Sequence, residues 1–351
     1  MTLLETLGID LPIIQAPMAG VSTPAMAAAV SNGGALGSIA VGAVDAEGAR
    51  RMIAAVRERT ARALNVNVFC HRPAIPDRAL EAAWLERLRP HFARFDVKPP
   101  EALKEIYRSF VGDDAMLAAL LADKPRIVSF HFGVPSDERI RALREAGIVL
   151  LATATSIAEG RAAAKAGVHA VVAQGYEAGG HRGVFDADAH DDRLTTMALT
   201  RLLARGLDVP IIAAGGIMDG AGIAAVLRLG ASAAQLGTAF VLCAESEADA
   251  GYRAALAGDA ANHTVMTRAL SGRPARCLRN RFTELGAGVA PSQIPAYPIA
   301  YDAGKALNAA ARTAHEAAYG AQWAGQGAPL ARGRPAAQLV ALLAQEIKQH
   351  A

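Results

Sequence analysis

The sequence has few aromatic residues and very few cysteines. Phe, Trp and Tyr make up 5% of the 351 residues, whereas hydrophobic residues as a whole make up 52%. We therefore expect a core of Ala, Leu, Val and Ile, which suits buried strands covered by closely packed helices. The cysteines Cys70, Cys243 and Cys277 are odd in number and have neither C-x-x-C nor His-paired metal spacing. This pattern argues against a disulfide framework and predicts a reduced, metal-free cytoplasmic protein.

Long apolar runs and clusters of one charge are also missing. Every apolar stretch is broken by Gly, Asp or Arg before 18 residues, and the first ten residues lack the basic start and apolar core of a signal peptide. We therefore expect a soluble protein with no membrane partner. The formal net charge is only +3, and no run of Lys or Arg is interleaved with aromatic residues. The sequence gives no support to nucleic-acid binding, whereas a small anionic ligand is compatible with it.

Several catalytic motifs are absent as well. The sequence has no G-x-S-x-G, no P-loop, no G-x-G-x-x-G between a first strand and its helix, and no Asp/Glu cluster with metal spacing. Ser-His-Asp hydrolysis therefore receives little weight, and no metal site is predicted.

The sequence does contain a regular alternation of short apolar runs with amphipathic stretches, which is typical of βα units. The alternation continues to about residue 243. The predicted strands are 12–15, 36–39, 64–68, 127–130, 149–152, 170–174, 210–213 and 233–236. The predicted helices between them are 24–31, 46–58, 136–145, 156–166, 195–205 and 221–229. Eight such strands indicate an α/β protein built on a TIM (β/α)8 barrel, with an added, mostly helical lid or substrate domain.

Two segments do not follow this alternation. The stretch between strands three and four is longer than one crossover needs, and we predict helices in it at 78–95 and 101–110. After residue 243 two further helices are predicted, at 302–320 and 335–350, and the apolar face of the second is expected to dock on the barrel. The predicted division is a ligand-binding barrel at 1–74 and 111–243, and a substrate or lid domain at 75–110 and 244–351.

Glycine-rich loops follow three of the predicted strands. The loop Q-G-Y-E-A-G-G-H-R-G at 174–183 places His181 among four glycines, and Gly215, Gly216, Gly237 and Thr238 follow the last two strands. Glycine exposes backbone N–H groups, and the loops after strands seven and eight of a barrel often hold phosphate. These loops therefore predict a phosphate monoester site and a ligand-facing histidine. The alternatives are glycines that only permit tight packing and a histidine with a structural role.

Amide side chains also lie on or at the ends of the predicted strands. Asn65 and Asn67 alternate with valines, so both are expected to face the barrel interior, and Gln174 and Gln235 end strands at the barrel mouth. Inward amides are costly unless they are hydrogen-bonded, and a heterocycle with C=O, N and N–H edges would satisfy them. This set favours a flavin or a nucleotide base as the ligand.

Two further residues are candidates at the mouth. Met18, in the loop after strand one, offers a soft apolar surface for a flat ring, although it could equally be core filler. His131 ends strand four and is a second candidate histidine, with a structural hydrogen-bonding role as the alternative. His71 and Glu177 also lie near strand ends, and we rank both below His181.

Together these motifs resemble the class I nitronate monooxygenases, formerly called 2-nitropropane dioxygenases. The resemblance runs over nearly the whole chain and combines several short blocks that are highly specific when taken together. The blocks are Q-A-P-M at 15–18, N-V-F-C-H-R-P at 67–73, the loop at 174–183, the segment 213–220, Q-L-G-T at 235–238 and A-Q-W-A-G-Q-G at 321–327.

The resemblance implies one non-covalent FMN on the barrel and His181 as the catalytic residue. The positions it implies for FMN, in or beside the matching blocks, are Met18, Asn67, Gln174, Gly179, Gly216, Gln235, Leu236, Gly237 and Thr238. It also implies a substrate pocket closed by Tyr107, Tyr297, Tyr301 and Lys305, to which we add His131. Without the resemblance, this quartet would not stand out from a solvated helix face.

The implied reaction is the FMN-dependent oxidation of an alkyl nitronate by O2 to an aldehyde with nitrite and nitrate, and propionate 3-nitronate is the natural candidate substrate. A monomer or homodimer is expected. One alternative is an FMN-dependent NAD(P)H:quinone or enoyl reductase, because such enzymes share the barrel, the glycine loops and a loop histidine. A second alternative is a non-catalytic flavin-binding protein. Fold-level similarity alone does not decide between them.

Overall fold

The computed structural model describes residues 1–350. Its strands form one large and one small sheet. In chain order the strands are β1 (Ile13–Gln15), β2 (Gly37–Ala40), β3 (Leu64–Phe69), β4 (Ile127–His131), β5 (Val149–Ala154), β6 (Ala170–Gln174), β7 (Gly180–His181), β8 (Ile211–Ala214), β9 (Ala233–Leu236), β10 (Thr264–Thr267) and β11 (Ala275–Leu278).

The large sheet is an eight-stranded parallel barrel. Its strand order is β1-β9-β8-β6-β5-β4-β3-β2, and a parallel bridge between Ile14 and Leu36 joins the two ends. The predicted TIM barrel is therefore confirmed, and each of the eight predicted strands lies within two residues of an observed one.

Helices cover the outside of the barrel and also occur in both added segments. They are α1 (Leu3–Leu7), α2 (Pro24–Asn32), α3 (Ala46–Arg57), α4 (Arg78–Ala93), α5 (Asp114–Asp123), α6 (Asp137–Glu145), α7 (Ile157–Ala166), α8 (Thr196–Gly206), α9 (Gly220–Arg228), α10 (Thr238–Val241), α11 (Ala250–Ala257), α12 (Arg281–Leu285), α13 (Ile299–Thr313) and α14 (Ala336–His350). Short polar side chains begin many of them: Thr23, Asp45 and Asp219 each accept a hydrogen bond from an amide in the first turn of α2, α3 and α9.

The lower interior of the barrel is apolar. Inward-facing residues such as Ile14, Leu151 and Ile212 form one buried cluster, and helix α1, which the sequence did not predict, adds Leu3 and Leu7 to it. The amino-terminal end of the barrel is therefore filled with side chains, and only its carboxyl end is available for a ligand.

The predicted helix at 101–110 is wrong. Apart from a 3-10 turn at Phe110–Gly112, the segment is irregular, and the next helix is α5, which we did not predict. Leu103 packs in a cluster with Trp84 of α4, whereas Tyr107 packs with Tyr297 at the barrel mouth. A segment that must reach two such places is better served by extended backbone, at about 3.3 Å per residue, than by a helix at about 1.5 Å per residue.

The small sheet was also not foreseen. Strand β11 pairs antiparallel with β10 on one side and with the two-residue strand β7 on the other. This sheet joins the loop that follows β6 to the segment that follows the barrel.

The two added segments pack together, and the last helix packs on the barrel. Helices α4 and α13 share one buried cluster that includes Trp84, Leu88 and Leu307. Helix α13 begins three residues before the predicted start and ends seven residues before the predicted end. Leu339, Val340 and Leu343 of α14 pack in a cluster with residues of α2 and α9. The domain boundaries given above stay a prediction.

Within residues 1–350, no helix is both long enough and apolar enough to cross a membrane.

Truncation of a buried leucine on α14 tests whether this helix is part of the barrel core. Leu339 is fully buried, so Leu339→Ala should lower the free energy of unfolding by about 2–5 kcal/mol. Gln345→Ala, at an exposed position of the same helix, should change it by less than about 0.5 kcal/mol. Urea denaturation measures both, and equal effects of the two substitutions would contradict a docked helix.

Candidate active site

A cavity of about 310 Å³ lies at the carboxyl ends of the barrel strands. Its floor follows from the two-residue period of the strands: Ile127 and Leu151 face the apolar lower interior, and Ser129 and Thr153, two positions further on, face the cavity. The barrel interior therefore changes from apolar to polar between two successive inward-facing positions of these strands.

The structure brings almost all of the predicted site residues to this one cavity. The residues that line it are Met18, Asn67, Tyr107, His131, Gln174, Gly179, His181, Gly216, Gln235, Gly237, Thr238, Tyr297, Tyr301 and Lys305. Leu236 is the exception, because its side chain is buried in the core with Ile13 and Phe240, outside the barrel wall.

One wall of the cavity is built from glycine backbone. Gly215 and Gly216 have φ values of 120° and 69°, which favour glycine, and they leave the cavity wall without side chains. Among residues 1–350, the backbone N–H groups of Gly216 and Gly237 donate to no acceptor. The Thr238 hydroxyl accepts the Gly325 N–H at 3.0 Å and keeps its own proton free to donate. These donors fit a phosphate group.

The amide side chains behave differently from one another. Gln174 donates to the His181 carbonyl at 3.0 Å and accepts from the Gly183 N–H at 2.7 Å, so the protein itself uses both ends of this amide. Asn65 lies below the cavity and donates to Ser38 at 3.1 Å. The oxygens of Asn65 and Asn67 have no hydrogen-bond partner among residues 1–350, and Gln235 makes no side-chain hydrogen bond there. Gln174 keeps a second N–H and a second lone pair, so the expectation that these amides bind the ligand stays a prediction.

His181 is enclosed by aromatic rings. The ring centres of Trp323 and Tyr297 lie 5.0 and 5.3 Å from that of His181, and Phe132 meets it edge-on at 5.7 Å. Its Nε2 is 2.8 Å from the Ser271 hydroxyl. Burial, reinforced by the positive charge of neighbouring groups such as Arg273, lowers the pKa of His181 from 6.5 to about 3. The imidazole is therefore neutral at physiological pH.

Two other histidines near the cavity are neutral for the same reason. Burial lowers the pKa of His131 to about 4, and burial with the charge of Arg273 lowers the pKa of His71 to about 4. His131 lies between the Thr153 hydroxyl at 3.1 Å and the His181 carbonyl at 3.2 Å. Both of its ring nitrogens thus have protein partners, which supports a positioning role for His131 alongside its place in the cavity wall.

The predicted tyrosine–lysine quartet also lines the cavity. The Lys305 ammonium lies 4.8 Å from the ring centre of Tyr107 and 5.4 Å from that of Tyr301, a cation–π arrangement that holds the charge beside the cavity. Burial lowers the pKa of Lys305. The Tyr297 hydroxyl is buried and has no hydrogen-bond partner within the described residues. An orphaned hydroxyl beside the cavity fits a ligand that accepts a hydrogen bond.

Other residues at the site were missed by the sequence analysis. Trp323 lies in a motif that carried the resemblance, but nothing in the motif assigned it to the cavity. Tyr252 lines the cavity and donates to the Trp323 carbonyl. Phe132 also lines the cavity and meets His181 edge-on, and the Arg273 guanidinium lies 4.4 Å from the Phe132 ring centre. These residues come from distant parts of the chain, and no local spacing marks them.

A larger surface cleft of about 900 Å³ lies between Tyr176 and Arg268. None of the site residues predicted from the sequence lines this cleft. The cavity at the barrel mouth is therefore the candidate active site.

The chain is similar over nearly its whole length to nitronate monooxygenases and to a nitroalkane oxidase. Residues 1–346 match the family described as nitronate monooxygenase. The chain is 62% identical over 347 residues to a nitronate monooxygenase of Paraburkholderia phytofirmans, covering 99% of this chain and 95% of that protein. It is 54% identical over 344 residues to a nitronate monooxygenase of Pseudomonas aeruginosa, covering 97% of each. The crystal structure of a nitroalkane oxidase from Streptomyces ansochromogenes superposes with a TM-score of 0.91 at 42% identity, covering 99% of this chain and 98% of that one.

The three neutral histidines should make the protein less stable in acid. Each takes up a proton near pH 6.5 when unfolded but only near pH 3–4 when folded, so the unfolded state binds more protons between these values. The free energy of unfolding should fall as the pH decreases from about 6.5 to 4, by up to about 1.4 kcal/mol per pH unit for each histidine. Urea denaturation at a series of pH values measures this slope.

Two variants identify the source of the slope. His71→Gln should make it shallower, whereas His190→Gln, at a side chain that is 86% exposed, should leave it unchanged. An identical slope in wild type and His71→Gln would show that His71 does not contribute.

Proposed function

The chain belongs to the nitronate monooxygenase family, and we propose that it binds FMN at the barrel mouth and uses O2 to oxidise small alkyl nitronates, such as propionate 3-nitronate, to an aldehyde with nitrite and nitrate. The observation that carries the proposal is the joint placement of the glycine wall, His181 and the tyrosine–lysine quartet on one cavity. No two of these three features are neighbours in the sequence, yet all of them face the same space.

The residues present fit an FMN. The free N–H groups of Gly216 and Gly237 and the Thr238 hydroxyl would hold the phosphate, while Gln235 and the oxygen of Asn67 are free to bond the ring. When bound, the flavin would supply the electron transfer between nitronate and O2, which no protein side chain here provides. The protein's own tasks are to bind the anion, orient it and exclude water.

The nitronate anion would be held by the quartet. Lys305 keeps a positive charge at the cavity wall, and the Tyr297 hydroxyl has a proton to donate and no partner in the protein. Burial raises the pKa of Tyr297 well above 10, so this hydroxyl stays protonated and available as a donor. A cation and a neutral donor on one wall favour a small anion.

His181 would act as a base only on neutral nitroalkanes, which still carry the proton on the carbon beside the nitro group. A neutral imidazole can accept the proton of a nitroalkane, but a pKa lowered to about 3 makes it a weak base. A nitronate has already lost that proton in solution and needs no base. The site therefore favours the preformed nitronate over its neutral nitroalkane.

The surrounding rings would keep water out of the reaction. Tyr301, Trp323 and Phe132 all lie within about 6 Å of the His181 ring, centre to centre. Apolar walls strengthen the hydrogen bonds and charges inside the cavity.

The reductase alternative is less well supported. A nicotinamide dinucleotide needs a long groove and its own diphosphate site, and the cavity at the barrel mouth has one glycine-backed wall, which the proposed FMN phosphate occupies. A non-catalytic flavin-binding protein would not need a buried histidine on the cavity wall. The relatives with high identity over the whole chain carry the name nitronate monooxygenase. A monomer or homodimer stays a prediction.

A substitution at Gly237 tests the phosphate wall. A Cβ at Gly237 would meet nothing closer than Ala16 at 3.5 Å, so Gly237→Ala and Gly237→Glu should both fold. The new carboxylate should repel the phosphate and abolish flavin retention, whereas the alanine variant should keep a substantial share of it. The flavin absorbance of the purified proteins and the FMN released on denaturation measure the difference. Wild-type FMN content in the glutamate variant would place the phosphate elsewhere.

Anaerobic mixing tests the reaction itself. Propionate 3-nitronate should bleach the flavin absorbance quickly, a neutral nitroalkane should do so more slowly because His181 is a weak base, and NADH should have a negligible effect. Readmitted air should restore the oxidised spectrum. Rapid bleaching by NADH with no response to nitronate would overturn the assignment in favour of a reductase.

A further inference from the structure

Ser271 is fully buried beside His181, in the loop between β10 and β11. The loop is held closely by its surroundings: Gly272 has a φ of 93°, and a Cβ there would lie 2.5 Å from the backbone nitrogen of Tyr297. Ser271 is therefore fixed against one wall of the cavity while its hydroxyl points to the back of the imidazole, 2.8 Å from Nε2.

The hydroxyl has three polar neighbours and a single proton. Besides Nε2 of His181, it lies 3.3 Å from the Arg273 carbonyl and 3.5 Å from the Arg273 N–H. The carbonyl can only accept and the N–H can only donate. The Arg273 carbonyl receives no other hydrogen bond from the described residues.

Only one arrangement satisfies all of these groups. If the hydroxyl gives its proton to the Arg273 carbonyl, its oxygen accepts from the Arg273 N–H and from a proton on Nε2 of His181. If it gives the proton to Nε2 instead, the buried carbonyl is left without a partner, which is unfavourable. The first arrangement leaves the other ring nitrogen, Nδ1, without a proton and without a protein partner.

From this geometry we propose that Ser271 is a positioning residue, which holds His181 as the tautomer with its proton on Nε2 and thereby presents a bare Nδ1 to the ligand in the cavity. The inference deepens the proposed function and rests on it for its kinetic consequence. When a neutral nitroalkane binds, the C–H bond beside the nitro group breaks, its proton passes to Nδ1, and the electron pair moves into the nitro group to give the nitronate. A nitronate substrate needs no such transfer.

The tautomer can be measured without turnover. In the full-length protein labelled with ¹⁵N-histidine, the His181 signals, assigned by their loss in His181→Asn, should show a protonated Nε2 and an unprotonated Nδ1 at pH 7. Ser271→Ala should shift these signals toward a mixture of the two tautomers. A wild-type His181 protonated at Nδ1 would overturn the proposal even if the alanine variant did not fold.

The kinetic arm compares a neutral substrate with its own anion. Ser271→Ala should lower kcat/KM for nitroethane about tenfold relative to kcat/KM for ethyl nitronate, because only the first needs Nδ1 as a base. Thr267→Val is the matched control: it removes a hydroxyl at the end of β10 that bonds the Ala269 N–H and not His181, and it should leave both the tautomer and the ratio unchanged.

The possible outcomes separate the two proposals. Ser271 would be merely structural if Ser271→Ala kept both the wild-type tautomer and the wild-type ratio of the two kcat/KM values. The same conclusion would follow if the variant lost FMN and lost activity equally with both substrates. If wild type turned over neither nitroethane nor its nitronate, the proposed function would fail, and the ¹⁵N signals would still decide the role of Ser271.

Discussion

The pairing of β7 with β11 is the interaction on which the candidate site depends. Strand β7 lies in the loop that follows β6. Its two residues, Gly180 and His181, form antiparallel pairs with Arg276 and Ala275 of the segment that follows the barrel. A loop at the mouth of a barrel is ordinarily mobile, but here it is held as an edge strand of a second sheet. This pairing fixes the imidazole over the cavity, brings Ser271 behind it, and carries Arg276, whose guanidinium donates to the Tyr176 carbonyl in the same loop. Without it, the glycines around His181 would permit many conformations.

Burial dominates the electrostatics of this region. It is the largest cause of the lowered pKa values of His71, His131 and His181, and it lowers even the pKa of Arg273 to about 10. Arg273 makes no ion pair among residues 1–350; its guanidinium donates to the Val184 carbonyl and lies over the Phe132 ring. A buried positive charge without a carboxylate beside it raises the potential of the adjoining cavity and favours an anion there. The neutral histidines therefore leave the positive charge of Arg273 without a compensating partner in this region.

The sequence predicted the barrel well because its evidence is local. A strand of the barrel is a short apolar run, and the loops that line the cavity with bare backbone are rich in glycine, so both are visible within ten residues. The arrangement around His181 is not local: Ser271 lies 90 residues from it in the chain, and β7 is only two residues long. The helix predicted at 101–110 was wrong for the same reason, because distant contacts determine the position of this segment. Leu103 packs with a residue about 20 positions earlier in the chain, and Tyr107 packs with one about 190 positions later. Gln174 shows a subtler limit, because the sequence located the amide but could not show that the protein itself uses both of its ends.

The contact between Thr238 and Gly325 also bears on biosynthesis. All eight barrel strands lie before Thr238, but its hydroxyl is oriented by an amide that is 87 residues further along the chain, and Gly325 packs directly on Gly179. A nascent chain that has completed the barrel on the ribosome therefore still lacks one side of the ligand cradle. The lining of the cavity is therefore complete only once the segment that contains Gly325 has been synthesised.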